Sequence, residues 1–126
     1  MNTGRLSEEF RNRTKLFAAQ VIRLYIKLPK TSEEVRVLGK QLLRSGTSVA
    51  SQVREASRAR SSGEFVSKLG GALQEADESA MWLELLREEC GINPTLTTSL
   101  EREASELMAI FVSMINRTKE KPSGSA

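Results

Sequence analysis

Hydrophobic residues recur at intervals of three and four along most of this chain, the period of one face of an α-helix. Phe17, Val21, Leu24, Tyr25 and Leu28 form the first stripe, in a segment from about residue 7 to 28 that Pro29 ends. Val35, Leu38, Leu42, Val49, Val53 and Ala56 form the second, from about residue 32 to 57. Phe65, Leu69, Ala72, Ala76, Ala80, Leu83 and Leu86 form the third, from about residue 62 to 90. Leu100, Ala104, Leu107, Phe111, Met114 and Ile115 form the fourth, from about residue 98 to 119. No run alternates β-branched or aromatic residues with polar ones, so no sheet is expected.

Polar residues punctuate these stripes where helices start and stop. Thr31-x-x-Glu34, with Ser32 as a competing N-cap, precedes the second stripe. Ser61-x-x-Glu64 precedes the third and Thr98-x-x-Glu101 the fourth, each a capping-box pattern. Gly91 is placed to end the third helix, and Asn93-Pro94 marks a turn in the connection from Ile92 to Thr97. Ser45 and Gly46 sit near the second stripe, where small residues let a neighbouring helix come close. Four helices with short connections predict an all-α chain, an antiparallel up-down-up-down four-helix bundle. Residues 1–121 form its single domain, and residues 122–126, rich in Gly and Ser, read as a disordered tail.

Two helix faces do more than solvate the outside. On the second helix Arg36, Lys40, Arg44, Arg54 and Arg58 fall within about 80° of arc, roughly opposite the apolar stripe, with Thr47 and Ser51 between them. A row of cations at one-turn spacing could track a phosphate backbone, or could be the solvated outer face that any amphipathic helix has. No aromatic residue interleaves it for base stacking, and Tyr25, the one tyrosine, lies on a core stripe. On the third helix Met81, Trp82 and Leu85 project away from the Phe65–Leu83 stripe, which leaves the last three turns apolar over much of their circumference. Either the bundle core is wide there or a second subunit covers these residues.

Composition adds mainly exclusions. A chain of 126 residues with 39% hydrophobic and 28% charged residues suits one globular domain. No apolar run is long enough to span a bilayer, and the N-terminus lacks the apolar core of a signal peptide, so a cytoplasmic location is expected. There is no histidine, which removes Ser-His-Asp and Cys-His nucleophile systems and His-containing metal sites. The single cysteine, Cys90, cannot form an internal disulfide or a thiolate metal site and is expected to be a small buried hydrophobe. Gly70-Gly71 lacks the spacing of a phosphate loop. The acids of the third and fourth helices have no other chemical group to join them, so no catalytic residue, metal, cofactor or small-molecule substrate is expected. Net charge is +3, unevenly spread: residues 1–63 carry 13 Lys/Arg against 5 Asp/Glu, and residues 64–126 carry 6 against 11. That asymmetry points to a polyanion partner such as RNA, or to unlike faces of two copies meeting.

Three segments in order carry a resemblance: LLRSGTSVASQVREA (residues 42–56), SSGEF (residues 61–65) and ALQEADESAMWLELL (residues 72–86), together with Leu28-Pro29. They resemble the bacterial four helix bundle protein family, also called 23S rRNA intervening-sequence proteins. Gln52 stands where that family usually has Asn, Ala50 where it has Pro, Ala56 where it has Gly, and Arg54 where Ala is common. The resemblance implies a four-helix bundle that assembles as a homo-oligomer, with ring-shaped pentamers among its members. It also implies a protein without an established biochemical activity, some members being encoded inside rRNA intervening sequences. Distant relatives, the accessory proteins of diversity-generating retroelements, look like basic, RNA-associated pentamers.

Overall fold

The computed structural model of the protein describes residues 4–120. It contains four helices, α1 (Glu8–Lys27), α2 (Glu33–Ser57), α3 (Ser62–Glu88) and α4 (Pro94–Glu120), and no strand among the described residues. The tail expected over residues 122–126 lies outside the described residues.

Serine hydroxyls start three of the helices. Ser7 Oγ accepts from the Phe10 amide at 3.1 Å, and Ser61 Oγ accepts from the Glu64 amide at 3.0 Å. Ser32, not Thr31, caps α2 by accepting from the Val35 amide. Glu64 turns its own carboxylate to the Arg60 amide, so the box at Ser61 is half-formed in the expected sense. Gly91 takes φ of +70°, the left-handed conformation that suits glycine, and Ile92 donates back to the Leu86 carbonyl at 3.0 Å.

The expected start of the fourth helix is corrected. The helix begins at Pro94, a turn earlier than the Thr98-x-x-Glu101 pattern indicates. Asn93 Oδ1 accepts from the Thr95 amide at 3.0 Å, and proline suits the first helical position because it has no amide hydrogen to satisfy. Thr98 is therefore inside the helix, where its hydroxyl donates to the Pro94 carbonyl at 2.9 Å.

Each helix packs on the next in sequence, and α4 closes against α1. Contacts such as Gly39 with Tyr25 and Gly46 with Val21 run antiparallel, compatible with the up-down-up-down order. The expected stripes line the interior: Phe17, Val21, Leu42, Val49, Val53, Leu69, Leu83, Leu86, Leu107 and Phe111 are essentially inaccessible to solvent. Tyr25, Leu38, Met114 and Ile115 are half-buried at its margins. Phe10 adds an edge-on contact with Phe111, ring centres 5.9 Å apart.

Small residues set the spacing of α2 from both neighbours. A Cβ on Gly46 would stand 2.8 Å and 2.9 Å from the two Val21 methyls of α1. Ser45, one residue away and facing α3, meets Ser79 through a buried 2.8 Å hydrogen bond between hydroxyls. The Ser79 hydroxyl donates to the Glu75 carbonyl of its own helix at 2.9 Å and so accepts from Ser45, which leaves neither unpaired in the interior. Gly71 of α3 makes room for the Gln52 side chain, whereas a Cβ on Gly70 would meet nothing.

The chain before α1 is tied down as well. The Arg5 amide donates to the Ser57 carbonyl at 2.8 Å, and Arg5 Nε donates to the Ala59 carbonyl at 2.9 Å. The Arg5 guanidinium lies 5.9 Å from the centre of the Phe65 ring, and Leu6 is buried beside it. This clasp joins the start of α1 to the α2–α3 connection.

Gly46→Ala and Gly70→Ala should therefore move stability in opposite directions. Alanine favours a helix interior by about 1 kcal/mol over glycine, and Gly70→Ala is expected to gain roughly that much. At Gly46 the crowding against Val21 costs about 1–3 kcal/mol, so the net change is a loss. Urea midpoints of the two variants measure this; a gain at Gly46 would show that α1 is free to move away from α2.

Candidate nucleic-acid interface

The five cations of α2 do not behave as one row. Arg36 is held at the α1–α2 connection, donating through Nη1 to the Lys30 carbonyl at 2.6 Å and through Nη2 to Glu33 at 3.2 Å. Arg44 turns to α3, reaching Glu78 at 2.8 Å and Glu75 at 3.4 Å. Lys40, Arg54 and Arg58 are exposed, and their side chains form no ion pair or hydrogen bond among the described residues. Glu55, the acid nearest this face, is occupied by Lys68 of α3 at 2.7 Å, which holds its carboxyl below the usual carboxylate range.

Elsewhere, opposite charges meet at the seams between helices. Arg13 of α1 makes a two-pronged contact with Glu103 of α4, 2.8 Å on each prong, and reaches Glu106 at 3.0 Å. Arg87 of α3 grips Glu101 of α4 with two bonds of 2.9 Å. That grip, the largest influence on Glu101, holds its carboxyl below the ordinary value of 4.5 despite the opposing effect of burial. The acids of α3 and α4 thus engage several of the nearby cations, and the excess positive charge of residues 1–63 is left on the α1–α2 side.

On that side α1 contributes residues that the periodicity of α2 could not reveal. Its first two turns and the last two of α2 enclose a cleft of about 360 Å³. Glu8, Arg11, Asn12 and Lys15 form one wall, and Ala50, Ser51, Val53 and Arg54 the other. Arg54 thus stands with two cations of a different helix rather than with Lys40.

The three residues expected at a subunit contact separate too. Met81 points outward, with 45% of its surface exposed. Trp82 and Leu85 are half-buried, and the indole packs against the protein's own core with its Nε1 hydrogen buried and unpaired. Other large apolar residues project outward instead: Leu16, Ile22 and Ile26 on α1, Val37 on α2 and Val112 on α4. Ile26, at 70% exposure, is the most accessible of them. Cys90 is half-buried; burial first, then the nearby Glu34 and Glu89 carboxylates, push its thiol up, which leaves it protonated and a poor nucleophile. Among the described residues no helix is long and apolar enough to cross a membrane, and no three His, Cys, Asp or Glu side chains cluster as a metal ion needs.

The sequence profile of the 23S rRNA-intervening sequence protein family matches residues 8–113, from the start of α1 into the last turns of α4. The chain belongs to that family. A solved structure of a protein of unknown function from the S23 ribosomal protein family of Bacteroides thetaiotaomicron is 37% identical to it. The two superpose with a TM-score of 0.74 over 83% of this chain and 96% of that one. No curated protein matches the chain. For this member of the 23S rRNA-intervening sequence protein family, the match spans both the seam ion pairs and the α1–α2 cleft.

The Arg87–Glu101 pair gives a pH dependence of known sign. Because the folded-state value of Glu101 is lowered, its stabilisation is fully present above the ordinary carboxylate value of 4.5 and is lost as pH falls through the lowered one. Between pH 6 and pH 3, Glu101→Gln should lose less stability than the unaltered protein, while starting roughly 1 kcal/mol less stable. Denaturant midpoints across that range provide the check, and parallel curves would show that the pair contributes nothing.

Proposed function

We propose that this protein is a non-enzymatic, self-assembling helical bundle that associates with RNA through the α1–α2 side. One observation carries the reading. Cations at the seams, Arg13, Arg44, Lys68 and Arg87, all have carboxylate partners, while Lys40, Arg54 and Arg58 on the outer α2 face form no ion pair among the described residues. Leaving cations unpaired beside acid-rich neighbours suits a face that meets a polyanion. The absence of histidine from the sequence and the protonated state of Cys90 support a role in binding rather than catalysis.

Self-assembly is supported by the outward Leu16, Ile22 and Ile26 of α1, with Val37, Met81 and Val112 on the other helices. A ring of five is the assembly that the family resemblance implies. The same residues favour the second reading, a protein-interaction module with no nucleic-acid role. Capture of one protein partner after nuclease treatment, with no RNA retained, would establish that reading in place of the first.

RNA binding is tested with a single-stranded RNA oligonucleotide and salt titration. Neutralising Lys40, Arg54 and Arg58 together to Gln should lower the slope of log affinity against log salt by about 2, at roughly 0.7 per lost contact. Unchanged affinity and slope would remove the proposal. Assembly is tested by light scattering: the mass should be a multiple of the 14.0 kDa chain, fivefold for a ring of five. Ile26→Lys with Met81→Lys should reduce it to a single chain, and a single-chain mass for the unaltered protein would refute self-assembly.

A further inference from the structure

We infer that the cleft between the start of α1 and the end of α2 is a phosphate-binding site, seating a backbone phosphate of the RNA. The inference rests on the RNA reading above and adds a second helix to it. Three cations line the cleft, Arg11 and Lys15 from α1 and Arg54 from α2, with one carboxylate, Glu8. Asn12 adds an amide able to donate to phosphate oxygens, while the Ser51 hydroxyl on the opposite wall is bonded to Glu55. Arg11 Nε also donates to the Ser7 carbonyl at 3.4 Å. The volume of about 360 Å³ accommodates a phosphodiester with part of its sugar.

Convergence distinguishes this place from the rest of the α2 face. Lys40 and Arg58 are not among the lining residues and present single charges to solvent, whereas Arg54 faces cations of another helix across a concave surface. Low-dielectric walls around like charges focus the potential between them, so an anion gains more there than beside an isolated surface lysine. Glu8 opposes this and lowers the attraction without cancelling it, since three positive groups stand against one negative.

Lys15 and Glu8 provide the decisive variants, because both lie on α1 and outside the α2 row. In fluorescence anisotropy with a single-stranded RNA oligonucleotide, Lys15→Gln should weaken binding several-fold and lower the salt slope by about 0.7. Glu8→Gln should tighten binding by about two- to threefold, the effect of removing one unit charge several ångströms away in water. A gain of affinity cannot arise from misfolding, and Lys15→Arg should restore what Lys15→Gln loses. If the unaltered protein binds RNA but neither Lys15→Gln nor Glu8→Gln changes the affinity, the cleft assignment fails and the RNA reading stands. If the unaltered protein binds no RNA, both fail. A third arm uses uridine monophosphate and inorganic phosphate: binding of either at micromolar concentration, with no RNA binding, would make the cleft a small-anion site and overturn its assignment to RNA.

Discussion

Val21 of α1 occupies the space where a side chain on Gly46 of α2 would stand, and the arrangement of the bundle follows from that contact. The helix backbones can approach this closely only because Gly46 carries no Cβ. One residue earlier Ser45 faces the opposite neighbour, α3, and meets Ser79 through a hydrogen bond rather than through bulk. A step of one residue turns a helix by about 100°, so the Ser45-Gly46 pair fixes the distance from α2 to α1 and to α3 at the same level of the bundle. With α2 held between its neighbours, its remaining arc must face solvent, and that is where Lys40, Arg54 and Arg58 are found.

The seam ion pairs then sort the charge. Arg13, Arg44, Lys68 and Arg87 lie where helices meet and take up carboxylates from the adjoining helix. Partly exposed pairs of this kind contribute little stability individually, of the order of 1 kcal/mol or less. Their larger effect is on the surface field: carboxylates bound at seams are not available to neutralise the outer α1–α2 face. Loosely packed α1 and α4 rely more than other neighbours on such a pair, since Arg13 bridges the seam where the helices share the least contact.

Much of the fold was legible along the chain because helix periodicity and capping are local. The stripes from Phe65 to Leu86 and from Leu100 to Phe111 are buried as their spacing indicates, and Ser61 and Gly91 act where their chemistry suggests. The start of α4 was not, because two local signals compete there. Thr98-x-x-Glu101 has the pattern of a cap, but Asn93-Pro94 also does, and the earlier one extends a helix that Leu96 and Thr97 help to bury. The candidate interface was legible only in part. Projection of α2 finds the cations on its outer arc but is blind to other helices, so neither the capture of Arg44 by Glu75 and Glu78 nor the meeting of Arg54 with Lys15 could be read from it. The α3 wheel sets Trp82 apart from the Phe65–Leu83 stripe, yet its indole packs against the core, a fact of packing rather than of period.

The Arg5 clasp turns two helices into a frame. The connection after Leu28 joins α1 to α2 at one end, and at the other Arg5 bonds the carbonyls of Ser57 and Ala59. Both ends of the pair are therefore fixed, one by covalent chain and one by hydrogen bonds, and the walls between Lys15 and Arg54 cannot spread without breaking the clasp. A hairpin open at one end would widen under the mutual repulsion of its cations. Closed at both, it keeps Lys15 and Arg54 on opposite walls of one cleft.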